Sequence, residues 1–316
     1  MRLGWLSDIH LNFLDQPGLR AFLWDLSSRD ADAWLLGGDI GEADSVAGFL
    51  RMFEAALPCT VYFTLGNHDF YRGSLSEVRT RVRQLVGESA HLVWLTTSEP
   101  QMLDGGIAVV GDDSWADGRF GNARGTPVEL NDFFLIDELS RLSRATLVHT
   151  LNAMGDAAAA RLAPKLERAA ASCGRIVVLT HVPPFREAAW HQGRPSDEDW
   201  VPWFSCRVMG EAILACARAH PGVSFLVLCG HTHSSGLYSP AANVTVHTAE
   251  AEYGVPRVQR VFEVDARTPL GAWPNQLGLI GAGKSSLKNS RSPPLLSIRC
   301  SRSPKRQRVA ARYHIG

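Results

Sequence analysis

Five short blocks of the 316-residue chain hold side chains able to bind metal: Asp8-Ile9-His10, Gly38-Asp39, Gly66-Asn67-His68-Asp69, His181, and Gly230-His231-Thr232-His233. Taken singly, each reads equally well as a turn, because Asp and Asn tolerate tight loops and hydrogen-bond their own backbone. Taken together they supply carboxylate, imidazole and amide oxygen without a thiolate, a donor set suited to divalent Mn, Fe, Zn or Mg. There are more donors than one tetrahedral ion takes. Two ions are the economical reading, and a pair about 3.5–4 Å apart is an established arrangement for in-line displacement at phosphorus. His91, His149, His191, His220, His247 and His314 have no such setting.

The elements that must carry these blocks can be read from the pattern around them. Short apolar runs at 2–7, 33–37, 59–65, 107–111, 175–180 and 223–229 read as strands. Amphipathic or alanine-rich stretches at 17–29, 44–56, 74–87, 129–143, 145–172 and 207–219 read as helices, with Pro164 a point where the long one could kink or divide. Closely spaced runs at 236–239, 243–248 and 257–264 predict an antiparallel ending. The alternation is that of an α/β protein. Each block directly follows a strand, and ligands of open α/β sheets bind beyond the carboxyl ends of strands, so five distant segments can meet at one edge. The glycines beside the blocks let the backbone turn sharply off each strand.

The ordered series Asp8-x-His10, Gly38-Asp39, Gly66-Asn67-His68-Asp69, His181 and Gly230-His231-x-His233 resembles the calcineurin-like metallophosphoesterase superfamily. The resemblance implies two packed mixed β-sheets flanked by helices in four layers, an α/β sandwich. It implies that Asp8, His10, Asp39 and His233 bind one ion and that Asp39, Asn67, His181 and His231 bind the other, with Asp39 bridging. The activity implied is hydrolysis of a phosphoester by a hydroxide activated between the two ions. His68 would stabilise charge on the phosphorane-like transition state or protonate the leaving oxygen, with Asp69 orienting it. Protein phosphatases of this superfamily carry Asp-Arg-Gly after the second block and Asn-His-Glu in the third. This chain has Gly38-Asp39-Ile40-Gly41-Glu42 and Asn67-His68-Asp69, which is similar to the small phosphodiesterases. A small phosphodiester is the expected substrate. A phosphomonoester on the same site is the alternative, and a non-catalytic scaffold a remoter one, since such scaffolds lack the third-block histidine.

Composition bounds the rest. With 45% hydrophobic and 20% charged residues the chain can build a large core. Its 32 basic and 32 acidic residues balance, yet nine of the basic ones and no acidic one fall in 284–316. An acidic body argues against general nucleic-acid binding. The expected division is therefore a phosphoesterase domain over 1–268 and a basic, disordered tail over 269–316, through which weak nucleic-acid contact could run. Six cysteines without a C-x-x-C pair fit a reduced setting. With the first strand starting at Arg2 and no apolar run long enough to span a bilayer, the expectation is a cytoplasmic protein. Two long loops, 112–127 and 182–206, are expected to wall a substrate cleft, with Trp190 stacking on an aromatic group and Arg194 or another arginine holding a phosphate oxygen.

Overall fold

The computed structural model describes residues 1–264; the expected tail, 269–316, lies outside the described residues. Arg2–Leu6 (β1), Ala33–Gly37 (β2), Thr60–Thr64 (β3) and Leu92–Trp94 (β4) run parallel to one another. Gln101–Leu103 (β5) pairs antiparallel with Ile107–Asp112 (β6), which runs parallel to Arg175–Thr180 (β7). A small hairpin of Trp190–His191 (β8) and Arg194–Pro195 (β9) interrupts the next loop. Ser224–Cys229 (β10), Gly236–Ala241 (β11), Val244–Thr248 (β12) and Arg260–Glu263 (β13) complete the strands. They form a five-stranded sheet, β13-β1-β2-β3-β4, and a six-stranded sheet, β11-β12-β10-β7-β6-β5. Both are parallel in the middle, the first antiparallel at its β13 edge and the second at both edges, the mixed pairing expected.

Period-two alternation explains the layering. Leu3, Trp5, Leu35 and Tyr62 of one sheet and Ile107, Val109, Val177, Leu179, Leu226 and Leu228 of the other share one buried cluster, which is the layer between the sheets. Their neighbours point the other way. Leu6, Trp34, Leu36, Val61 and Phe63 pack on the helices Gln16–Ser28 (α1), Val46–Ala56 (α2) and Leu75–Glu88 (α3). Ala108, Val110, Ile176, Val178, Phe225 and Val227 pack on the long and final helices, Arg144–Ala170 (α5) and Arg207–Ala219 (α7). Helix, sheet, sheet and helix are the four layers.

Three expectations are corrected. The stretch 129–143 forms only one helical turn, Asp132–Leu135 (α4). Its backbone leaves the helical ladder to meet the loop after β3, where the Arg72 amide donates to the Leu135 carbonyl (2.7 Å) and Gly73 bridges Ile136. Pro164 does not divide α5, which runs unbroken past it. The ending is not one antiparallel unit: β12 pairs parallel with β10, and β13 crosses to β1 in the other sheet. The short strands β4, β5, β8 and β9 and the turn Val201–Phe204 (α6) were not anticipated, because two to four residues carry too little periodicity to read. No helix among the described residues is long and apolar enough to cross a membrane.

Buried polar groups join the two sheets near the edge that matters. Lys165 of α5 donates to the carbonyls of Leu95 (2.5 Å), Thr96 (2.9 Å) and Gly111 (3.2 Å), tying the chain after β4 to β6. Burial lowers its ammonium below the usual lysine value. Replacing it with methionine leaves those carbonyls without their donor, at about 1–3 kcal/mol for an unsatisfied buried group. Lys165→Met should therefore lower the urea midpoint by an amount equivalent to about 2 kcal/mol or more; an unchanged midpoint would show that the bonds are not needed.

Candidate metal centre

All parallel strands end at the same edge, and beyond it the loops keep pairing: the amides of Asp8 and His10 donate to the carbonyls of Gly38 and Asp39 (3.0 and 2.9 Å), and the Gly230 amide to His181 (2.8 Å). Asp8, His10, Asp39, His231 and His233 all adopt positive φ, between 40° and 70°. This left-handed conformation is uncommon outside glycine but enriched in Asp, Asn and His, and it aims the side chains inward. The glycines contribute differently from what was expected. Gly38 (φ 88°) does supply a turn. Gly66 and Gly230 supply room: a β-carbon at Gly66 would lie 2.1 Å from Asp39 Oδ1, and one at Gly230 1.8 Å from Asp8 Oδ2.

The structure brings all seven expected ligands together, in two groups. In the first, oxygen and nitrogen atoms of Asp8, His10, Asp39 and His233 lie within 4.8 Å of one another. His10 Nε2 is 3.1 Å from His233 Nε2 and 3.7 Å from Asp39 Oδ2, and His233 Nε2 is 3.5 Å from Asp8 Oδ1. In the second, Asn67 Oδ1 lies 2.9 Å from both His181 Nε2 and His231 Nδ1, and His181 Nε2 lies 3.5 Å from Asp39 Oδ1. Asp39 thus presents one oxygen to each group.

The donor set fits divalent cations. The other ring nitrogens, His181 Nδ1 and His231 Nε2, face the carbonyls of Gly37 and Trp203, both at 2.9 Å. A carbonyl only accepts, so those nitrogens carry the protons and the inward ones carry lone pairs. Asn67 is oriented likewise: its amide nitrogen donates to Asp132 Oδ1 (2.8 Å), which turns its oxygen toward the imidazoles. Acceptors therefore converge on acceptors, an arrangement a cation resolves. Burial holds the imidazoles of His10, His181, His231 and His233 below their usual value, His231 at about 4, which keeps them neutral for coordination, and it lowers His68 likewise. Burial, then the charges of Asp8 and Asp69, pushes the Asp39 carboxyl well up.

His68 borders this centre without entering either group. Its amide donates to Asp39 Oδ1 (2.9 Å), and its ring stacks on Tyr71 with centroids 4.1 Å apart. Asp69 is placed otherwise than expected. Its carboxylate accepts from the amides of Ile40 (2.9 Å), Gly41 (2.8 Å) and Gly66 (2.8 Å), and no hydrogen bond joins it to the His68 side chain. It braces the second block against the third instead of orienting His68. Asp113 plays a similar part after β6, accepting from the Leu65 amide (2.7 Å), Trp94 Nε1 (2.8 Å) and Thr96 Oγ1 (2.7 Å).

A narrow cleft opens on the centre, lined by Asn67, His68, His231 and His233 together with Tyr71, Asp132, Tyr253 and Phe204. Phe204 belongs to the loop 182–206 that was expected to wall the cleft, whereas Tyr71, Asp132 and Tyr253 were not singled out from the sequence. Tyr71 Oη donates to Asp132 Oδ1 (2.7 Å), so both support Asn67. Trp190 and Arg194 do not line the cleft. The Trp190 indole lies against Gly236, where a β-carbon would come within 2.2 Å of it. Arg119 is held by both oxygens of Asp156 (2.8 Å each) and Arg186 by Glu198, so these two loop arginines are engaged elsewhere. A further group of potential ligands, Glu167, Cys216 and His220, sits on the outer face of α5 and α7, with His220 already bonded to Glu167 (2.9 Å).

If Asp69 is a brace, Asp69→Asn places an amide donor against backbone donors, costing about 1–3 kcal/mol. The variant should melt at a lower temperature and bind manganese with reduced stoichiometry. Full stability and full metal content would contradict the bracing role.

A family model of calcineurin-like phosphoesterases matches residues 1–235. Among solved structures, the chain is similar to the phosphopantetheinyl hydrolase of Mycobacterium tuberculosis, with 15% identity, 80% of this chain and 89% of that chain covered, and a TM-score of 0.58. It is also similar to a dimetal phosphatase from Danio rerio, with 15% identity, 81% and 89% covered, and a TM-score of 0.49. None of the curated proteins compared matches. At such identities the first of these likenesses establishes the fold, the two helix-flanked mixed sheets already described. The family match spans every block of the centre, and the chain belongs to the calcineurin-like phosphoesterases, as a metal-dependent phosphoesterase.

Proposed function

We propose that the protein hydrolyses a small phosphodiester at a centre of two divalent ions. Asp8, His10, Asp39 and His233 hold one ion, and Asp39, Asn67, His181 and His231 hold the other. When bound, the pair supplies positive charge to the phosphoryl oxygens and lowers the pKa of water there. The chain's own groups do the rest. Gly37 and Trp203 carbonyls fix which nitrogen of His181 and His231 faces inward, and Asp132 fixes Asn67. His68, at the cleft wall, is placed to hydrogen-bond the phosphoryl or leaving oxygen through its ring N–H.

The observation that carries the diester over the monoester is the charge of the cleft. No lysine or arginine is among its lining residues, which are His, Asp, Asn, Tyr, Leu and Phe. A monoester dianion leaves extra negative charge to neutralise beyond the ions, commonly by an arginine fork. A diester carries a single negative charge. The manganese-supplemented enzyme should therefore turn over bis(p-nitrophenyl) phosphate with higher kcat/KM than p-nitrophenyl phosphate, and Asp39→Asn should abolish both. Preference for the monoester would reverse the assignment. A phosphopantetheinyl ester, the group named for the Mycobacterium tuberculosis protein, belongs in the same substrate panel.

His68 can be tested apart from the ligands. His68→Ala should lower kcat by about 100-fold or more, the scale of losing a proton-transfer or charge-stabilising group, while the metal content stays at the wild-type level. Loss of metal with proportional loss of rate would make His68 a structural residue.

A further inference from the structure

Phe13 is a large apolar side chain left 53% exposed, next to a centre otherwise buried. It lies on the helical turn Leu11–Phe13 that starts directly after His10. Its ring packs on Tyr253 (centroids 4.7 Å, planes at 47°) and meets the His10 ring edge-on at 6.2 Å. Tyr253 in turn lies 4.5 Å from His10 and 5.1 Å from His233, and it lines the cleft. The two rings make one apolar shelf running from the centre to solvent.

The shelf is held in place from both sides. Phe13 is fixed through the His10 turn, whose amides pair with the Asp39 loop. The loop bearing Tyr253 is closed by Gln259, whose amide nitrogen donates to the Glu250 carbonyl (2.7 Å) while its oxygen accepts from the Glu250 amide (3.1 Å). The Ala251 amide also reaches the His233 carbonyl (3.4 Å). Gly254 (φ 77°) turns this loop beneath Phe13, its β-position 3.8 Å from the Phe13 carbonyl. Exposed aromatic surface that is rigidly mounted at the rim of a site is suited to binding.

We infer that Phe13 and Tyr253 form a subsite that stacks on a flat aromatic arm of the phosphodiester, the arm that does not depart. This rests on the diester reading, because only a diester carries a second arm. Recognition of that arm by charge has no side chain to act through, since no lysine or arginine is among the lining residues. Stacking does, with rings that accept a third ring in offset or edge-on geometry.

The test compares bis(p-nitrophenyl) phosphate with methyl p-nitrophenyl phosphate. Both release p-nitrophenolate, so the ratio of their kcat/KM values reports the retained arm. The ratio should fall about ten-fold in Phe13→Ala, the scale of a lost aromatic pair, mainly through KM for the aryl diester and at wild-type metal content. Phe13→Leu, which keeps bulk without a stacking face, should show the same direction. A ratio unchanged within two-fold overturns the subsite, as does a parallel loss on both substrates that follows loss of metal. Wild-type turnover of p-nitrophenyl phosphate alone would overturn the diester reading and the subsite with it. Diester turnover with an unchanged ratio would overturn the subsite alone.

Discussion

The structure depends on a concentration of buried acceptors that the protein cannot satisfy from its own donors. Asn67 Oδ1, two imidazole lone pairs and an oxygen of Asp39 face one another over 2.9–3.5 Å. Beside them stands a second group from Asp8, His10, Asp39 and His233. Burying like charges and unpaired acceptors is costly, and the raised Asp39 carboxyl expresses that cost. Cations bound there would convert it into binding energy. The architecture around the centre can be understood as what is needed to hold this arrangement against its own repulsion.

Part of that holding is conformational. Five of the seven candidate ligands lie in the left-handed region, a strain of about 1–3 kcal/mol each. Such strain persists only when neighbours over-determine the backbone. Here the neighbours are identifiable: Asp69 accepts three amides from two blocks, Asp113 ties the ends of β3, β4 and β6, and Lys165 ties both sheets. Glycine at 66 and 230 completes the fit by letting backbone pass where a methyl group would overlap a ligand carboxylate.

What was legible in the sequence follows from which forces act locally. The six long core strands announced themselves because both faces are buried, giving uninterrupted apolar runs, and the ligand blocks stood out because each follows such a run. The helix expected over 129–143 failed because its apolar period was real but its backbone partners lie near residues 72 and 73, far away in sequence. Asp132 and Tyr253 were invisible for the same reason, since Asp132 acts through Asn67, 65 residues away, and Tyr253 meets His10 from a loop near the other end of the described chain. Asp69 was visible but misassigned: adjacency to His68 in sequence suggested a contact, whereas a helical turn sends the two side chains in different directions.

Tyr253 and Asp132 also show how the site divides its work. On one flank, Asp132 and Tyr71 form a hydrogen-bonded polar support whose oxygens are directed at Asn67. On the other, Tyr253 and Phe13 present ring faces over His10 and His233. A polar support next to the ions can shape the field at phosphorus, because in a low-dielectric site each fixed dipole acts strongly. An apolar flank cannot do so, but it can exclude water and grip the part of a substrate that carries no charge. No lysine or arginine is among the residues lining the cleft between the two flanks, so on the proposed reading the positive charge at the phosphoryl group would come from the ions. On the diester reading, selectivity falls to shape and stacking, and the residues available for it stand on the His10 turn and the Tyr253 loop.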